Sequence, residues 1–187
     1  MGADIHGFLE VKRDGKWERY SGGIFPGGSN MPFDWRSYGI FGFLADVRNY
    51  SHIPPLGEPK GLPDDSEYLN AAIDKPMRYS YGYIDNGTAY TVADTFMFDI
   101  DYHSHTYYTL RELISFDYNN VFEDRRKIVL RLQDGDVGYD KTLEVEQGGG
   151  EWVSYKEFFG EDFFKCIEIM ETLGGPDDVR VVIWFDN

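Results

Sequence analysis

Residues 179–185, Val-Arg-Val-Val-Ile-Trp-Phe, constrain this chain more than any other stretch. A strand with one wet face alternates apolar and polar residues, whereas this run is apolar everywhere except Arg180. It therefore reads as a central strand covered on both faces. Such a strand needs partners on both edges and packed layers above and below it, and the rest of the sequence has to supply them.

Hairpins supply the partners. Residues 4–12 and 16–20 read as strands around Asp14-Gly15, a strong two-residue turn signal. Residues 77–94 form the clearest hairpin, with Asn86-Gly87 as its turn. That turn sets Asp85 opposite Thr88, Tyr83 opposite Tyr90 and Tyr81 opposite Val92, with Tyr79, Tyr81 and Tyr83 on one face. "TFMFDIDYHSHT" continues extended, and "RKIVLRLQ" and "TLEVE" read as further strands.

Helices supply the layers. Ile40, Phe41, Phe43, Leu44 and Val47 recur at helical spacing behind Asp34 or Ser37 as cap. A short helix is expected around 65–73. Thr109/Glu112 and Ser154/Glu157 each make a capping box. Phe163, Phe164, Ile167, Met170 and Leu173 form a helical stripe that Gly174-Gly175-Pro176 stops. Residues 21–32 are a Gly/Pro connection without the GK[ST] ending of a phosphate loop, and "QGGGEW" reads as a loop. Strands arrive as hairpins rather than in βαβ order. The expected fold is α+β, one domain over 1–187, with a mostly antiparallel or mixed sheet and helices packed on it.

Composition narrows the setting. The 187 residues include 14 Phe, 14 Tyr and 4 Trp, enough to fill a sizeable core. No apolar run approaches the roughly 20 residues of a membrane span, and no signal peptide is legible. The lone Cys166 excludes an internal disulfide, which fits a reducing cytoplasm, and its apolar helical neighbours mark it as packed rather than nucleophilic. In such a compartment the Asn86-Gly87-Thr88 sequon is better explained as the hairpin turn. A formal net charge of -15 argues against gripping nucleic acid over a broad surface. It suits solubility, or an acidic face that copies DNA phosphates to block a DNA-binding protein.

Candidate chemistry centres on the histidines. Asp4 and His6 share a strand face, and by the same period so do Asp99, Asp101, His103 and His105. Four ionisable groups on one face cannot be core. The face is either solvated or holds something charged. Asp4, His6, Asp101, His103 and His105 are a plausible ligand set for a divalent ion such as Zn or Mn. His6, His103 and His105 are the candidate catalytic groups. Arg48 and Arg111 are candidate phosphate contacts, and Tyr81, Tyr83 and Tyr102 candidate ring partners for a base. An exposed edge strand, or tyrosines filling a half-buried sheet, would produce the same patterns.

Two familiar phosphoesterase signatures fail. "DIHG" suggests the DxH opening of metallophosphoesterases, but no GNH follows, "GDVGYD" is one residue too long, and it lies after "HSH". Two-histidine phosphoesterases need two H-x-[ST] motifs, and none of the four histidines has Ser or Thr two positions on.

"MGADIH", "GIFGFLADVRNY", "PKGLPDD", "HSHTYYTLREL" and "VRVVIWFDN", taken in order, resemble a family of bacteriophage and prophage proteins. The resemblance spans nearly the whole chain and implies a phage setting without implying a reaction. In that setting the expectation is a protein that binds, and in one version hydrolyses, a nucleotide-like phosphate ester, as a metal-dependent or histidine-based phosphodiesterase. The alternatives are a non-catalytic protein that sequesters a nucleotide signal, and an acidic inhibitor of a host protein.

Overall fold

The computed structural model describes residues 2–74, 78–85, 88–95, 102–126 and 150–186. The architecture is α+β with antiparallel sheets, as expected. Strands β1 (Ile5–Arg13), β2 (Lys16–Tyr20), β5 (His103–Thr109) and β8 (Val179–Phe185) form a four-stranded sheet in the order β2-β1-β8-β5. The apolar run is indeed interior. Every residue of β8 is buried, with β1 on one edge and β5 on the other. Asp14 and Gly15 turn the β1–β2 hairpin at φ 49° and 81°, as an Asp-Gly turn of that kind requires. Gly7 allows β1 and β8 to close up, because a Cβ there would lie 2.2 Å from the Val182 carbonyl oxygen.

One face of this sheet carries the larger core. Helices α1 (Tyr38–Ala45), α3 (Leu110–Ser115), α4 (Tyr155–Phe159) and α5 (Glu161–Glu171) contribute Phe41, Phe43, Leu113, Tyr155, Phe163 and Met170 to it. Ser37 caps α1, and both capping boxes form as read. Cys166 is buried, and burial pushes its thiol up to about 11, so it is packed and not nucleophilic.

The other face is covered by α2 (Glu67–Asp74) and the segment leading into it. Phe8, Leu69, Val182 and Trp184 make a second, smaller apolar cluster. Beside it sits a charged row. Arg180 Nε donates to Glu10 at 2.7 Å, Arg180 Nη1 donates to Asp65 at 2.7 Å, and Ser66 Oγ donates to Glu10 at 2.5 Å. Ser66 also caps α2 by accepting from the Leu69 N–H.

Strands β3 (Arg78–Asp85) and β4 (Thr88–Thr95) pair in the register expected, Tyr81 with Val92 and Tyr83 with Tyr90. Their turn, and the strands expected within 127–149, lie outside the described residues. A small ribbon, β6 (Val121–Asp124) with β7 (Glu151–Ser154), replaces part of what reads as loop.

Candidate functional site

The site can be built from the register of β1, β8 and β5. His6 pairs with Trp184 across β1–β8, so both side chains stand on the α2 face, in line with Phe8 and Val182. His105 reaches Trp184 from the other side. The imidazole planes of His6 and His105 lie nearly parallel to the indole, at 18° and 22°, with centroids 6.4 and 6.2 Å from it. Tyr102 meets His6 edge-on at 5.4 Å. The result is a tier of rings at the end of the sheet, with Trp184 fully buried in the middle and both imidazoles partly exposed.

Asp186 holds the outer side of the tier. Its Oδ2 lies 3.1 Å from His6 Nε2, and its Oδ1 accepts from the Asp4 N–H at 2.8 Å. Asp4 is occupied elsewhere. Arg36 grips its carboxylate through two nitrogens, at 2.8 and 2.6 Å, and holds it below the usual carboxylate range. Asp4 therefore faces a guanidinium rather than an open coordination position.

His103 departs from the expectation. Period 2 would put it on one face with His105, but β5 contains a bulge. His103 opposes Phe185 while Thr106 opposes Ile183, so three steps on β5 match two on β8. Ser104, at φ 54°, absorbs the extra residue. His103 consequently stacks at 6.4 Å on Phe185 of the larger core, with its Nδ1 2.9 Å from Ser104 Oγ. The histidines of "HSH" point to opposite faces.

This geometry corrects the three-histidine centre. His6 and His103 lie on opposite faces, with β8 between their strands. His6 and His105 share a face, but the Trp184 indole of the intervening β8 stands between their rings, 6.4 and 6.2 Å from them, where a shared metal ion would have to sit. Among the described residues no group of three or more His, Cys, Asp or Glu side chains is gathered for a metal ion. Asp101 lies outside those residues.

The predicted cations are also engaged. Arg111 makes a two-nitrogen pair with Asp177, and Arg48 sits in a loop at φ 48° with a partner of its own. Tyr81 and Tyr83 occupy alternate positions of β3, as read.

Sequence reasoning missed Trp184 and Asp186. The run containing Trp184 reads as uniform core, which hides that one of its faces is lined by imidazoles. The signal was available: alternation along β8 places Trp184 and Asp186 on the same side. No protein-family model, curated protein or solved structure matches this chain.

Proposed function

We propose that the protein works by binding a nucleotide-like phosphate ester rather than by hydrolysing one. The observation that carries this reading is the tier in which His6, Tyr102 and His105 gather around Trp184. With Trp184 buried behind them, the partly exposed rings of His6, Tyr102 and His105 are the surfaces on which a base would stack. Hydrolysis asks for more. An acid and a base serving one phosphorus must reach oxygens a few ångströms apart, and two imidazoles with the Trp184 indole between them do not. The role that fits a phage setting is sequestration of a nucleotide signal.

The acidic body shapes the preference. A net charge of -15 repels highly charged ligands, so the base should contribute more than the phosphates. Cyclic dinucleotides and monophosphates should therefore bind better than triphosphates. Thermal shift and calorimetry across such a panel, with chromatography of the incubated ligand, test this. The expected result is a stabilising shift for one ligand class, unchanged ligand afterwards, and loss of the shift in His6→Ala and His105→Ala. Hydrolysis products that disappear in those variants would overturn the binding-only reading, and no shift with any ligand would overturn the ligand class.

A further inference from the structure

The tier of rings has an edge as well as faces, and a carboxylate stands at that edge. Asp186 lies two residues past Trp184, on the same side of the strand. Its backbone N–H donates to the Asp4 carbonyl at 3.2 Å, so pairing with the first strand continues past the end of β8. Its side chain is fixed at both oxygens. Oδ1 accepts from the Asp4 N–H at 2.8 Å, and Oδ2 lies 3.1 Å from His6 Nε2. A carboxylate offers about four acceptor positions and no donor, so capacity remains for a ligand. The Asp186 side chain is 33% exposed and that of His6 29%, so both reach the surface. On its outer edge β1 pairs with β2 only from Leu9 to Arg13, so no strand flanks His6 on that side. The neighbouring guanidinium, Arg36, is gripped by Asp4 rather than by Asp186.

A base stacked on the His6 imidazole brings its own edge to this carboxylate, and the bases differ there. The pairing edge of guanine carries two adjacent donors, N1–H and the 2-amino group, which match the two oxygens of a carboxylate. Adenine and cytosine put a bare ring nitrogen at that place, and its lone pair would face an oxygen. Uracil has a single N–H between two carbonyls. Hydrogen bonds to a charged acceptor are among the strong ones. A partly desolvated acceptor that meets no donor loses water without replacement, so the wrong base is penalised as well as unrewarded.

We infer that Asp186 makes the site selective for guanine, accepting from N1–H and the 2-amino group while the base stacks on His6. The inference rests on the nucleotide-binding reading above, and its test separates the two. Calorimetry with GMP, IMP and AMP, which carry the same phosphate, isolates the base. Cyclic di-GMP against cyclic di-AMP repeats the comparison in a second ligand class. GMP should bind about 10-fold or more tighter than AMP, with IMP, which lacks the 2-amino group, in between. Asp186→Asn keeps an acceptor for the Asp4 N–H and replaces the other oxygen with a donor. It should weaken GMP about 10-fold and leave AMP within about twofold of wild type. AMP binding as tightly as GMP, or equal losses for both in Asp186→Asn, would overturn the guanine assignment and leave nucleotide binding standing. No binding of any of these ligands to the wild type would overturn the nucleotide reading itself, and this inference with it.

Discussion

The two faces of the central sheet solve different problems. The face under α1, α3, α4 and α5 is packed with aromatic rings. Phe163 stacks on Phe33 at 4.8 Å and on Phe159 at 4.4 Å, and Phe43 meets Phe116 and Phe159 edge-on or tilted at 5.1 and 4.9 Å. The face under α2 has only a small apolar cluster, set between a row of ion pairs at Arg180 and a row of imidazoles at Trp184. Ring packing supplies stability without needing a particular partner. Buried charges supply little net stability, yet they tolerate only one arrangement. The contrast predicts that the aromatic face carries the folding energy, while the polar face fixes register and holds the chemistry.

Phe163→Ala is the largest expected blow to the first face. The ring is fully buried, and its loss should cost about 3–5 kcal/mol in urea unfolding. On the second face Arg180→Ala should cost about 3 kcal/mol or more, because it leaves the fully buried Glu10 without its partner. A double variant, Glu10→Leu with Arg180→Met, sharpens the comparison. If the ion pair serves specificity, the double variant should recover to within about 1 kcal/mol of wild type. A double variant as unstable as the single one would show that the pair is a true stabiliser and would break the contrast.

Ser66 tests the join between the charged row and α2. Its hydroxyl accepts from the Leu69 N–H and donates to Glu10. Ser66→Ala should cost about 1–2 kcal/mol by removing a helix cap and one donor to a buried carboxylate. Ser66→Thr, which keeps the hydroxyl, should recover most of that loss.

How much of this was legible depended on whether the signal was local. The buried run at 179–185, both capping boxes, the Asp14-Gly15 turn and the β3–β4 register each follow from a few neighbouring residues, and each appears in the fold. The β6–β7 ribbon did not show itself, because its strands are four residues each and far apart in sequence. The site was half legible. His6 meets Tyr102, and His6 and His105 each lie against Trp184 without reaching one another. His103 was misplaced because a bulge at a serine leaves no glycine to announce it. Arg111 and Asp4 were counted as free for ligands because their partners, Asp177 and Arg36, lie 66 and 32 positions away.

The smallest expected effect separates the faces by acid. Burial works to raise the Asp65 carboxyl, but hydrogen bonds and charge from Arg180 more than reverse this and hold it below its ordinary range. Glu112, at the start of α3 on the aromatic side, is also held low, with burial opposed by Lys60 and the Thr109 cap, so that part of the acid response is common to both variants below. A carboxylate depressed in the fold stabilises it fully above the unfolded-chain value, and that contribution is lost as pH falls through the folded value. Thermal midpoints should therefore hold near neutral pH and drop below about pH 4. Asp65→Asn should start lower at pH 7, because Arg180 loses one of its two anions, and should then fall less steeply. Among the described residues the one buried carboxylate, Glu10, lies on the α2 face, so Phe163→Ala should lower the midpoint by a similar amount at every pH. If Phe163→Ala and Asp65→Asn shared one pH profile, acid sensitivity would not be a property of the α2 face, and the division of labour between the two faces would be wrong.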